Sequence, residues 1–139
     1  MNENQEMDIF RSQKPNATLL REEYPDQAHL LQGNFVNETP YDYPLPDGKH
    51  LVSWELEQGR DINPRYGRVP RKCEAKFNTG KNKETMNILE GNLEAVIIGE
   101  PTQKAGPGEK LEIPSQTDVT FVNKGAPAMY VCDFAKDVI

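Results

Sequence analysis

Five cations, Arg60, Arg65, Arg68, Arg71 and Lys72, fall close together in an otherwise acidic chain of 139 residues and formal net charge −6. Such a cluster can hold phosphate, a nucleotide or an acidic partner; equally, it can balance the acidic N-terminal stretch. Further along, Thr79 and Glu84 flank the polar loop Gly80-Lys81-Asn82-Lys83. The overall acidity speaks against binding a nucleic-acid backbone, which usually takes a basic domain. Cys73 and Cys132 both fall at inward-looking strand positions. With no CxxC, and with His29 and His50 far from both in sequence, they read as two buried thiols or as a disulfide or reactive pair, rather than as zinc ligands.

Strands must position these groups. Cys73, Ala75, Phe77 and Thr79 share one parity; Lys72, Glu74, Lys76 and Asn78 share the other. That period-two split predicts a half-buried strand. After the Gly80–Lys83 loop the pattern resumes with Met86 and Ile88, and after Gly91 with Leu93, Ala95 and Ile97. The stretch Phe77–Ile98 therefore reads as successive hairpins whose apolar face needs a second sheet. In His50–Leu56, Leu51, Ser53 and Glu55 alternate with Val52, Trp54 and Leu56, and Trp54 is expected on the inner face. Lys110–Pro114, Asp118–Asn123 and Ala128–Phe134 alternate likewise. Seven or eight short strands are expected from Leu51 onward, without convincing helices between them, which means a sandwich or barrel.

The N-terminal part is different. Met1–Asn16 is polar, with only Met7, Ile9 and Phe10 to anchor it. Ala17–Gln32 predicts a short helix, broken at Pro25 and stopped by Gly33. Asn34–Asp47, with Pro40, Pro44 and Pro46 around Tyr41 and Tyr43, reads as an extended connector, and Gln58–Tyr66 and Gly99–Gly108 read as loops. Residues 1–47 are thus expected to form an extension that packs on the barrel or on a partner subunit, and residues 48–139 the barrel. No run of eighteen apolar residues exists, so no membrane span is expected. Met1–Phe10 lacks the basic-then-apolar layout of a secretory signal. A soluble cytoplasmic protein is the expectation, with no nucleic-acid or membrane partner.

Two spacings resemble the motifs of the cupins, small double-sheet jelly rolls. One is Glu84, six residues, then Gly91; the other is Gly108, five residues, Pro114, then Val119 and Asn123. Where the family places imidazoles, this chain has Phe77, Thr79 and Val119. A transition-metal site needs three or four N, O or S ligands, so no metal is expected. A narrower resemblance follows from Phe77-x-Thr79, Glu84-x-Met86, Gly91-x-Leu93, Gly108 with Ile113-Pro114, and Tyr130-x-Cys132-x-Phe134. Over roughly Val69–Phe134 the chain looks like the small single-cupin pyrimidine/purine nucleoside phosphorylases. It departs from them in having Cys73-Glu74-Ala75 where they usually read Gly-Glu-Tyr.

The resemblance implies an all-β, cupin-like jelly-roll barrel. Its implied activity is a glycosyltransferase reaction without metal or redox cofactor, in which nucleoside and phosphate give free base and ribose 1-phosphate. The transition state of such a transfer is oxocarbenium-like. Under this reading Glu84 and Thr79 are the catalytic candidates, and Arg68, Arg71, Lys76, Phe77 and Tyr130 the substrate-binding ones. Simple alternation lets only one of Arg71 and Lys76 face inward. A homodimer is expected. The alternatives are a non-catalytic barrel that binds a small metabolite or nucleotide, and an assembly protein that clasps a partner with its N-terminal arm.

Overall fold

The structure, a computed structural model, describes residues 13–136. The Met1–Phe10 arm with Met7, Ile9 and Phe10 lies outside the described residues. Ten strands form two antiparallel sheets. They are β1 (Tyr41–Pro44), β2 (His50–Glu55), β3 (Arg65–Val69), β4 (Cys73–Asn78), β5 (Asn82–Glu90), β6 (Leu93–Val96), β7 (Gln103–Ala105), β8 (Lys110–Ile113), β9 (Asp118–Asn123) and β10 (Ala128–Lys136). The larger sheet runs β1-β2-β3-β10-β5-β8 and the smaller β4-β9-β6-β7. The long β10 is the spine: it pairs with β3 on one side and β5 on the other, with a bulge between Met129 and Tyr130.

Alternating residues of both sheets meet in one core. Leu51, Val69, Ile88, Leu111 and Tyr130 come from the larger sheet, and Ala75, Leu93, Val119 and Phe121 from the smaller. One lateral edge is closed by a side chain that imitates a strand. The Gln103 amide donates to the Glu112 carbonyl (2.8 Å) and accepts from its N–H (3.0 Å), tying β7 to β8. On the opposite side β1 and β4 are both edges. Across this side the Tyr43 ring meets Phe77 edge to face, with ring centroids 5.4 Å apart.

Phe77–Ile98 folds differently from the hairpins its alternation suggests. β4 pairs with β9, whereas β5 pairs with β10 and β8. The turns at Gly80 and Gly91 carry the chain from one sheet to the other, both with positive φ (64° and 81°). At Gly91 a side chain would also sit 2.9 Å from the Ala128 backbone. Alternation shows that a strand has a buried face; it does not name the neighbour.

The extension covers the outer face of the larger sheet. α1 (Ala17–Glu23) is capped by Asn16, whose Oδ1 accepts from Leu19 N–H (3.1 Å), and Pro25 diverts the chain into a 3-10 turn over Pro25–Leu30. Leu20, Leu31 and Phe35 pack on Val52, Trp54, Leu56, Tyr66, Leu89 and Val131 in a second apolar cluster. Trp54 is therefore buried on the outer face of its sheet, not the inner face. Both faces of β2 are covered, with Leu51, Val52, Ser53 and Trp54 all buried, so the more apolar parity need not be the one that faces the barrel. Burying each large side chain here contributes roughly 1.5–3 kcal/mol.

β1, β3 and β7 lie where the sequence suggests a connector or loops. β1 falls before residue 48, and its register sets Tyr43 opposite Leu51. Among the described residues no helix is long and apolar enough to cross a membrane.

Candidate active site

A cavity of about 240 Å³ opens between the two sheets on the β1–β4 side. Its walls are Tyr43, Phe77, Phe121, Phe134 and Met86, and its polar groups are Ser53, Arg65, Asn78, Glu84, Tyr130 and Cys132. All six strands β1–β5 and β10, with β9, supply at least one residue. The larger sheet places the chemistry by register. Cys132 stands opposite Arg65 on β3 and Met86 on β5, and Phe134 stands opposite Glu84. Arg65 and Glu84 thus root on either side of β10, two strand spacings or roughly 10 Å apart. That leaves room for a ligand between their inward side chains.

Arg65 is held by its aromatic surroundings. Its guanidinium lies 4.0 Å from the Tyr41 ring centroid and 5.8 Å from that of Phe134. It donates to the Tyr43 hydroxyl at 2.9 Å. Stacking and this bond fix the plane of the fork. Among the described residues Arg65 joins no ion pair within 4.0 Å.

Glu84 is half-buried. Burial raises its carboxyl above the usual value, while a hydrogen bond from the Cys132 thiol and the Arg65 charge draw it back only in part. The Cys132 S–H donates to Glu84 Oε1 at 3.5 Å. Burial, with Glu84 beside it, pushes the Cys132 thiol well up, so it stays a donor. Burial does the same to the Tyr130 phenol. Cys73, by contrast, lies in the core, donates to the Pro70 carbonyl at 3.1 Å, and is pushed up to about 11 by burial. Both cysteines are free thiols.

Tyr130 owes its placement to Gly67, its partner across the β3–β10 pair. A Cβ at position 67 would lie 2.2 Å from Tyr130 Cζ and 2.3 Å from its hydroxyl. Only a hydrogen there lets the ring cross β3. Gly67→Ala must therefore displace the ring into the cavity. We expect a loss of about 1–3 kcal/mol from overpacking, read as a lower denaturant midpoint. Truncating the ring as well, in Gly67→Ala with Tyr130→Ala, should recover most of the part due to the clash.

Of the sequence-derived candidates, Glu84, Phe77 and Tyr130 line the cavity. The other four do not. Thr79 is buried, and its hydroxyl donates to the Pro114 carbonyl (2.7 Å) and accepts from Thr117 N–H (3.0 Å), which fixes a turn. Arg68 lies on the outer face, 5.0 Å from the Trp54 ring centroid, donating to the Tyr66 hydroxyl and to the Gln13 carbonyl. Lys76 is exposed on the outer side of β4, and Arg71 sits in the β3–β4 connection. The cation in the cavity is Arg65, which sequence reasoning noticed only as a member of the basic cluster. Lys72 takes φ 48° in that connection, so parity cannot be carried from β4 back into β3. Counted within β3, Arg65, Gly67 and Val69 share a face, and that is the signal that finds Arg65.

The residues do not fit a cupin metal centre. Phe77 is a wall of the cavity, the Thr79 hydroxyl is spent on its turn, and Val119 is buried and apolar. Among the described residues no group of three or more His, Cys, Asp or Glu could hold a metal ion.

No family model matches the chain. Two curated proteins resemble it, both pyrimidine/purine nucleoside phosphorylases. The one from Chlorobium chlorochromatii is 46% identical over 41 residues, which is 30% of this chain and 39% of that protein. The one from Leptothrix cholodnii is 34% identical over 59 residues, or 42% and 56% respectively. The chain thus spans about two fifths to just over half of these relatives. Among solved structures, the cupin domain of Schizosaccharomyces pombe Cnp3 superposes with a TM-score of 0.55 at 17% identity, covering 63% of this chain and 61% of that one. The architecture is the cupin fold.

Proposed function

We propose that this cupin-fold chain catalyses phosphorolysis of nucleosides in the cavity between its sheets, as a cytoplasmic homodimer in which the segment ahead of β1 lies over the larger sheet. The observation that supports it is the pairing of a cation that joins no close ion pair among the described residues, Arg65, with a half-buried carboxyl, Glu84, in one aromatic-walled hollow. Phosphate is held by the Arg65 fork. The base lies against Phe77, Phe121 and Tyr43, whose faces accept any flat ring. A phosphate oxygen forms a bond to the anomeric carbon as the bond from that carbon to the base nitrogen breaks, and the electron pair leaves with the base. Glu84, protonated at the start, gives its proton to that nitrogen. The esterified phosphate returns a proton to Glu84, which restores the starting state. Positive charge developing on the sugar lies between the phosphate and the Glu84 carboxyl.

A panel of purine and pyrimidine nucleosides incubated with and without phosphate tests this. We expect free base from at least one member only when phosphate is present. Thermal stabilisation by nucleosides without any base release would instead mean a binding protein, and no phosphate-dependent release from any member overturns the proposal.

A further inference from the structure

Cys132 lines the cavity but has no part in the reaction as written. Its thiol points at Glu84 Oε1 from the neighbouring strand, 3.5 Å away. The other polar and charged groups facing this carboxyl are few. Arg65 reaches in from β3, the Tyr130 hydroxyl from β10 and the Tyr43 hydroxyl from β1, while β8 sets the apolar Ile113 opposite Glu84. Asp133, next along β10, faces the other side and is taken up by Arg60 and Asn87. Among the described residues, the Cys132 S–H is the one hydrogen-bond donor on the Glu84 carboxyl.

We propose that Cys132 is a positioning residue that sets the proton affinity and orientation of Glu84. This inference rests on the nucleoside-phosphorylase reading for its catalytic consequence, but its physical core does not. A donor on Oε1 holds the carboxyl plane, leaves Oε2 to face the ligand, and favours the ionised form. A thiol is a weak donor, so its effect is small. Burial therefore still holds the carboxyl above its usual value, and the S–H prevents Oε1 from being a buried acceptor without a partner. A hydroxyl in the same place would bind the carboxylate more strongly and pull the acid down. An apolar side chain would release it upward.

The two replacements therefore move Glu84 in opposite directions. In Cys132→Ala its pKa rises by the small amount a weak donor contributes, and in Cys132→Ser it falls by more, because a hydroxyl makes the stronger bond to a carboxylate. Carboxyl-carbon NMR titration of Glu84 in the full chain, without substrate, reads this directly and does not depend on activity. If the chain phosphorolyses nucleosides, the alkaline limb of kcat/KM moves the same way: up in Cys132→Ala and down in Cys132→Ser. Thermal melts establish that each variant is folded, and Cys132→Thr, with a hydroxyl and an added methyl, gives a second downward case. A merely structural cysteine would lower stability in the variants while leaving the Glu84 titration in place or moving it in one direction throughout; either result overturns the proposal. Opposed NMR shifts without any phosphorolysis would support the coupling and overturn only the catalytic reading.

Discussion

Replacing Arg65 by Met is expected to cut phosphate-dependent base release about a hundred- to a thousandfold, the usual cost of removing a preorganised group that holds transition-state charge. Met keeps the length and apolar character of the side chain but removes the fork. The loss should appear in kcat/KM for phosphate, with nucleoside affinity little changed, because the contacts proposed for the base are Phe77, Phe121 and Tyr43 instead. The size of the effect follows from the surroundings of the guanidinium. It stacks on Tyr41, bonds to the Tyr43 hydroxyl and joins no ion pair among the described residues. Among the described residues no other cationic side chain lines the cavity to take its place. Arg68→Met, on the far face over Trp54, should lower stability and leave turnover near that of the parent. Steady-state kinetics with phosphate as the varied substrate decide the matter. If Arg65→Met retained phosphate kcat/KM to within about threefold, or if Arg68→Met were the inactive variant, the assignment would fail.

The second large effect belongs to Glu84. Glu84→Gln keeps the shape and hydrogen-bonding atoms but has no proton to give. A drop of about a hundred- to ten-thousandfold is expected for natural nucleosides, the usual range for losing a general acid. The loss should shrink sharply for ribosides whose leaving group departs as a stable anion, such as 4-nitrophenyl riboside, since those need no proton. An equal loss on both substrate types would assign Glu84 to the sugar and not to the base. The same variant has a stability signature. Because burial raises the Glu84 pKa, the folded chain binds this proton more tightly than the unfolded one. The associated stability is complete below the ordinary value of 4.5 and is lost as pH rises through the raised value. Glu84→Gln should therefore melt higher than the parent at pH 8 and show no such advantage near pH 4. A pH-independent difference would show that Glu84 is not strained by its site, against the expectation that a functional group here costs stability.

The chain carries much of its architecture in plain alternation. Asp118–Asn123 and Ala128–Phe134 read as strands and are strands, and Pro25 breaks the N-terminal helix where proline chemistry says it must. Such features are local: the side-chain period of two, or a missing backbone N–H, acts within a few residues of its cause. The cavity aromatic Phe77, the carboxyl Glu84 and the phenol Tyr130 were legible for the same reason, since each sits on a strand whose parity can be counted.

Pairing partners, and the sides on which residues emerge after an irregular turn, are not local. Gly80 and Gly91 look like hairpin turns but send successive strands into different sheets, because the free energy lies in β10 pairing with β3 and β5 and in β9 pairing with β4. Lys72 at positive φ resets the parity between β3 and β4, which brings Arg65 into the cavity and leaves Arg68 outside. Trp54 faces away from the barrel because a segment some twenty to forty residues earlier covers the other face. By itself the sequence determined a barrel of short strands with carboxyl, phenol and aromatic groups on countable faces. Tertiary pairing alone decided which arginine joins them and which cysteine touches the carboxyl, because those neighbours are set by long-range register across β10 and not by any spacing along the chain.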